Sequence, residues 1–285
     1  MPDTSAALSP SAEQRGAAII VAMMTLALVA VIVSAIIAEW GAATAALVGH
    51  HDLAQARLLA RAGIDWSRNI LADDAKTSSI DYVGETWSVR VPPTPAEEGE
   101  IGGEIDDLSG RFDVNSLARP GAPDPRQALV YGRLLSLLGF ADSEVATMVA
   151  ALADGPLADI DELALRRGYD GGRLARLGPF VMAAPDPAPI NVNTAPPEVL
   201  AALLPGLSLD AARAIVGERQ QRPFRDMADF VGRSGRPDAG VQALGVTSRY
   251  FLATVRARYG EALVQMRAML DRKTTWPEIL WQKLI

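Results

Sequence analysis

The longest apolar run in the chain, Ala17 to Ala38, carries no ionisable side chain, and only Thr25 and Ser34 interrupt it with polar groups. As a helix it covers about 33 Å at about 1.5 Å per residue, against about 30 Å of bilayer hydrocarbon. Each hydroxyl can return to a carbonyl of its own helix, so the run predicts a membrane span that is satisfied without partners. No proline follows until Pro92, and Leu53, Ala56, Leu59, Ala60 and Ile64 keep a helical character. The pattern predicts one helix from Ala17 to about Leu71, about 80 Å long, its first half in lipid and its second in water.

Further on, the period changes. Glu85 to Val91 alternates polar and apolar residues, which predicts a half-buried strand ended by Pro92, Pro93 and Pro95. A second short run covers Glu104 to Asp106. Tyr250 to Tyr259 and Ala262 to Leu270 flank Gly260 and predict a β-hairpin. Pairing of that hairpin with the strand at 85 to 91 would make everything between them an insertion within one sheet. The tail from Trp276 to Trp281 shows at most an amphipathic pattern.

The region between is helical and carries an internal repeat. Gly139 and Gly206 lie 67 residues apart, and the same offset sets Met148 on Ile215, Asp159 on Asp226 and Leu163 on Phe230. Upstream, Val114-Asn115-Ser116 echoes Val192-Asn193-Thr194 at an offset of 78, so the first copy holds 11 extra residues, which fit the Pro/Gly-rich segment Arg119 to Pro125. Each copy reads as a helix-capping Val-Asn-Ser/Thr segment, a Leu-rich helix, a Gly turn, a second helix and a short third one. The second copy, Leu203 to Val216, also resembles a helix-hairpin-helix. In DNA-binding versions the Gly-x-Gly turn offers backbone N–H groups to a phosphate. Here Ser208 replaces the second Gly, and Asp210, Glu218, Asp226 and Asp229 offset Arg213, Arg219, Arg222 and Arg225, which favours a structural use.

Three readings compete for the N-terminus. The apolar run is a plain anchor, a cleaved secretory signal, or the helix of a prepilin-like precursor. A signal is disfavoured, because its apolar region spans about 7 to 15 residues behind basic charge. The Arg15-Gly16 pair directly before the run suits the third reading, in which a membrane peptidase cuts after Gly16 and leaves Ala17 as the new N-terminus. Gly41, Ala45 and Gly49 recur every fourth residue. This stripe either lets another helix approach closely or is an Ala-rich stretch with no partner.

Charge and composition narrow the function. A net charge of -7 and a pI near 5.0 argue against a nucleic-acid partner. Cysteine is absent, so disulfides give no reading of compartment, and one basic residue on each side of the span, Arg15 and Arg57, leaves the positive-inside rule silent. His50 and His51 are the only histidines, adjacent on the long helix, so neither a Ser/His/Asp arrangement nor a His-based metal set can be built. The glycines follow no nucleotide-binding pattern. The chain is expected not to be an enzyme.

The order of these pieces carries a family resemblance: Arg15-Gly16 before an apolar helix, the segment Gly110 to Leu117 with Phe112 and Asn115, the segment Ile190 to Ala195 with Asn191, Asn193 and Thr194, then Ser248-Arg249-Tyr250-Phe251. Together they resemble the K-type minor pseudopilins of bacterial type II secretion, along nearly the whole chain. The resemblance implies an α+β, pilin-like fold: a long N-terminal helix on a small antiparallel sheet, with a large inserted all-α domain containing two related helix-hairpin-helix-like units. It divides the chain into a leader (1-16), a transmembrane and assembly helix (17-72), a first sheet part (73-113), the inserted domain (114-246), and a second sheet part with the tail (247-285). It also implies a non-enzymatic role at the tip of a periplasmic pseudopilus and in starting its assembly, from a single-pass inner-membrane anchor with the body in the periplasm. The implied partners are the I- and J-type minor pseudopilins, the prepilin peptidase and the inner-membrane secretion platform, with no nucleic acid. Most pilin-like chains carry Glu at the fifth residue of the mature helix, where this chain has Val21. No cofactor is implied beyond the calcium that some members bind. Asp154, Asp159, Asp161 and Glu162 offer oxygens for it without EF-hand spacing, and a solvated acidic face suits them better. The alternative of another class is a membrane-anchored helix-hairpin-helix DNA-binding protein.

N-terminal sequencing of protein recovered from membranes is expected to begin at Ala17, with an N-methyl group as the resemblance implies, and Gly16→Val is expected to retain the leader.

Overall fold

With no proline to interrupt it, the N-terminal sequence forms one helix, α1 (Ala12–Thr77), in a computed structural model that describes residues 12–96, 99–119, 122–236 and 243–285. The chain divides into two compact units after Gln55. In the first, apolar side chains from Ile19 to Val48 are exposed all around the helix, and Thr25 donates its hydroxyl to the Ala22 carbonyl at 2.9 Å. Part of the expected leader, residues 1–11, lies outside the described residues. α1 continues past the expected end at Leu71, and the Thr77 hydroxyl reaches the Asp73 and Asp74 carbonyls at 3.1 Å each where it stops.

In the second unit the remainder of α1 buries Ala56, Ala60, Ile64, Ser67 and Leu71, spaced three or four residues apart on one face. That face lies on a five-stranded antiparallel sheet in the order β1 (Val91–Ala96), β2 (Gly99–Asp107), β9 (Tyr250–Tyr259), β10 (Ala262–Asp271), β11 (Glu278–Leu284). Gly63 leaves the helix no room for a side chain against the sheet, since a Cβ there would sit 2.6 Å from Val255 Cγ1. On the other face of the sheet Leu108, Tyr250, Leu252 and Met269 pack with Met182 and Ala184 of the helical region.

That region leaves the sheet after Asp107 and returns at Tyr250, and these ends are neighbours: Asp107 pairs with Phe251, and Leu108 donates its N–H to the Tyr250 carbonyl at 2.9 Å. Its helices are α2 (Pro125–Leu137), α3 (Ser143–Leu152), α4 (Glu162–Arg167), α5 (Gly171–Leu177), α6 (Pro197–Leu203), α7 (Leu209–Gln221) and α8 (Met227–Ser234). They enclose one core with Phe112, Leu117, Tyr131, Leu134, Met148, Leu163, Ile215, Phe224 and Phe230 at its centre. Burying each such side chain contributes about 1.5 to 3 kcal/mol.

Several sequence expectations are corrected. Glu85 to Val91 is not a strand: Thr86–Ser88 form a single 3-10 turn, and the strand starts at Val91 and runs through the prolines. An edge strand tolerates proline because half of its N–H groups have no partner. The hairpin therefore pairs with β2, of which Glu104 to Asp106 is only the end. The tail forms β11, whose side chains alternate between half-buried and exposed. The inserted region is not purely α-helical. Two-residue strands pair in parallel, β3 (Phe112–Asp113) with β6 (Val181–Met182) and β7 (Ile190–Asn191) with β8 (Leu244–Gly245), and β4 (Ala118–Arg119) pairs with β5 (Ala122–Pro123). Strands of two residues are too short to show a period.

At Gly103 in β2 a Cβ would lie 2.5 Å from the Thr254 carbonyl oxygen, while at Gly217 in α7 nothing lies within 4 Å. Gly103→Ala is expected to destabilise the fold by about 1 to 3 kcal/mol and Gly217→Ala to stabilise it by about 0.5 to 1 kcal/mol, read as opposite shifts of the thermal midpoint.

Candidate functional site

The N-terminal candidates all lie on α1. Gly16, Ala17 and Val21 are exposed, and Gly41, Ala45 and Gly49 form an open stripe with nothing within 4 Å of a Cβ built at either glycine. Among the described residues this is one helix long and apolar enough to cross a membrane, as a single-pass anchor requires.

The two motif segments, far apart in sequence, cross each other. Gly110 stands against the second segment so closely that a Cβ would meet the Thr194 carbonyl carbon and Oγ1 at 2.7 Å and the Ala195 nitrogen at 2.8 Å. Asn191 donates its backbone N–H to the Ser109 carbonyl at 2.9 Å. The Asn191 side chain donates to the Asp81 carbonyl at 2.9 Å and to Ser248 Oγ at 2.7 Å. Phe112 stacks on Tyr131 with ring centroids 5.5 Å apart. The two segments thus form a joint between the sheet and the helical region.

Asp107, which sequence reasoning missed, is the charged centre of this joint. The residue as a whole is half-buried, yet its carboxylate is enclosed, accepting from Ser109 N–H at 2.7 Å and from the hydroxyls of Thr194 and Ser248. Burial pushes its pKa from 3.8 up to about 6, against the hydrogen bonds, which act to lower it. Beside it Asp81 accepts Ser248 N–H at 2.6 Å, and Arg272 binds Asp74 at 2.9 Å, Asp81, and the Ser248 carbonyl at 3.0 Å. Asp74 is also pushed up to about 6, by burial first and then by the Glu85 charge. Arg249, next to Ser248 in the motif string, holds Asp271 with two bonds of 2.7 Å. In the sequence Asp107 looks like the exposed Asp106 beside it, and only the fold separates them.

The motif asparagines act alike. Asn115 donates to the Leu157 carbonyl and accepts from its N–H, both at 2.9 Å; Asn193 does the same to Phe224 at 2.9 and 2.8 Å. Leu157 and Phe224 lie 67 residues apart, the offset of the repeat. Two residues before each asparagine, Asp113 and Asn191 accept its backbone N–H at 3.0 and 2.9 Å. Gly139 and Gly206 turn with φ of +71° and +75°, and Gly168 and Gly235 with +66° and +65°. Arg176 donates to the Leu138 carbonyl at 2.9 Å and Arg236 to the Pro205 carbonyl at 3.0 Å; these two acceptors, though not the arginines, are again 67 residues apart.

The carboxylates considered for calcium do not fit a calcium cage. Lys283 lies between Asp159 and Asp161, Glu162 pairs with Arg166 at 2.7 Å, and Asp154 faces Arg167 at 3.6 Å. Asp74, Asp81 and Glu85 also converge, but Arg272 binds two of them and Glu85 accepts from Trp87 Nε1 at 2.8 Å.

A long N-terminal helix over an antiparallel sheet defines a pilin-like class. The family model for "Type II secretion system (T2SS), protein K" matches residues 190–247, beginning on the second motif segment. Type II secretion system protein K of Pseudomonas aeruginosa is 26% identical over 91% of this chain and 89% of its own length, and that of Klebsiella pneumoniae is 27% identical over 91% and 93%. The crystal structure of the GspK-GspI-GspJ complex from the type 2 secretion system of enterotoxigenic Escherichia coli contains a chain with the same fold, at a TM-score of 0.71 and 20% identity, covering 84% of this chain and 99% of that one. The resemblance to the K-type minor pseudopilins is thereby shown, and it supports a minor pseudopilin of type II secretion.

Because the native state holds the Asp107 and Asp74 protons more tightly than the unfolded chain, their contribution to stability is full below about pH 4 and falls as pH rises through about 6. Asp107→Asn is expected to remove the Asp107 share of that decline, up to about 3 kcal/mol, while the Thr194 and Ser248 hydroxyls turn to accept from the amide. Denaturant midpoints of wild type and variant between pH 4 and 7 check it; parallel curves contradict it.

Proposed function

We propose that this chain is a non-enzymatic tip subunit of the type II secretion pseudopilus that helps start its assembly. In this reading the prepilin peptidase cuts between Gly16 and Ala17, the span stays in the inner membrane, and the body, with residues 114–246 as an inserted domain of two related units, faces the periplasm. Its partners are the I- and J-type minor pseudopilins and the inner-membrane platform, with the stripe of Gly41, Ala45 and Gly49 meeting a neighbouring helix.

The observation that carries the tip position is Val21. A carboxylate at this point of a pilin-like helix neutralises the terminal amine of the subunit added just before. A first subunit has no predecessor, and an unpaired carboxylate in lipid costs about 2.5 to 3.5 kcal/mol. Valine avoids that cost and leaves the amine of Ala17 for the next subunit.

The DNA-binding alternative has little free positive charge to draw on, Arg225 being the one of its four arginines that is exposed with no ion pair among the described residues. Arg236 is spent on the hairpin carbonyls, Arg213 pairs with Asp210, Arg222 with Asp229, and Arg219 is buried against the Val192 carbonyl. Salt-sensitive DNA affinity of the detergent-solubilised protein would restore that reading.

The deciding experiment is co-purification with the I- and J-type minor pseudopilins, and secretion of a reporter in a strain lacking the native copy. Wild type is expected to assemble and secrete, and Val21→Glu to give weaker assembly and reduced secretion. Stronger association with normal secretion by Val21→Glu would remove the tip position.

A further inference from the structure

The two edges of the sheet are built in opposite ways. β1 carries Pro92, Pro93 and Pro95, which have no N–H to offer, and a register shift between Val91 and Thr94, so this edge resists a further strand. β11 has no proline, and among the described residues no strand pairs with its outer side. Ile285 donates its N–H inward to the Gln265 carbonyl at 3.0 Å. Antiparallel partners alternate between bonded and non-bonded pairs, so the register Arg267↔Lys283 and Met269↔Trp281 turns the amides of Trp281 and Lys283 inward as well. Those of Gln282 and Leu284 then point outward.

The strand is held firmly. Trp281 Nε1 donates to the Ala158 carbonyl at 2.9 Å, Lys283 binds Asp159 and Asp161, and Arg68 donates to the Pro277 carbonyl at 2.8 Å with its guanidinium 4.6 Å from the Trp276 ring. An edge fixed in this way loses little freedom when another backbone is added to it. Leu280, Leu284 and Ile285 are exposed along it, and exposed Glu278 makes no ion pair among the described residues.

We propose that β11 is a docking edge for an extended strand of a partner pilin-like subunit, bound through the outward N–H and C=O groups of Gln282 and Leu284. The added strand carries apolar residues beside Leu280 and Leu284 and a cation beside Glu278. A second copy of this chain fits less well, because the exposed positions Glu278, Leu280, Gln282 and Leu284 bring no cation and Lys283 is committed to two aspartates. The proposal rests on the minor-pseudopilin reading, which supplies the partners.

Amide hydrogen exchange on the full-length protein in detergent, alone and co-purified with the I- and J-type minor pseudopilins, tests it. The Gln282 and Leu284 amides are expected to exchange freely in the isolated chain and to slow at least about tenfold in the complex, with Lys283 and Ile285 protected in both. Leu284→Pro, which removes an outward N–H and the exposed leucine side chain but no inward N–H, is expected to weaken capture by at least about tenfold with Lys283 and Ile285 still protected from exchange. A complex in which both amides still exchange freely overturns the docking edge and leaves the proposed function standing. Protection that appears on concentrating the chain alone overturns the choice of partner. No complex at all overturns both readings.

Discussion

The fold depends on a crossing of two backbones with no room for a methyl group between them. Gly110 lies against Thr194 and Ala195, and this contact brings Asp107, at the end of a strand, into the space where Thr194 and Ser248 can donate to it. The buried carboxylate is unfavourable by itself. It is held because the donors converge from three separate segments, so the charge links the sheet, the helical region and the strand that follows. Arg272 plays the complementary part for Asp74 and Asp81, and its guanidinium also rests 4.7 Å from the Phe251 ring.

Much of this was legible from residue order alone. The long helix with its apolar first part, the hairpin about Gly260 and the helical region each rest on a local pattern that backbone geometry enforces. The repeat was legible in its offsets, and the eleven extra residues of its first half reappear as the longer reach from Asn115 to Leu157 than from Asn193 to Phe224. The rest was hidden for identifiable reasons. β1 consists largely of prolines, which read as a terminator unless the strand is known to be an edge. β11 was obscured by Trp276 and Pro277 at its start. Asp107 and Arg272 are ordinary surface types in composition, and their burial follows from the crossing of distant segments.

The helical region repeats its own devices with different chemistry around them. Asp113 accepts a second N–H, from Ala184 at 3.0 Å, where Asn191 instead donates outward to Asp81 and Ser248. One unit thereby closes on itself while the other fastens to the sheet. The change from a carboxylate, which only accepts, to an amide, which does both, is what permits the second unit to serve as the attachment.

Asp107 and Phe251 are register partners, so the chain leaves and re-enters the sheet at a single rung. Topologically, the whole helical region is an enlarged loop of one β-ladder. A short turn from Asp107 to Tyr250 would close the same ladder, with β1, β2, β9, β10 and β11 in unchanged order. The order of the strands is therefore set by this ladder and not by the length of the loop it carries.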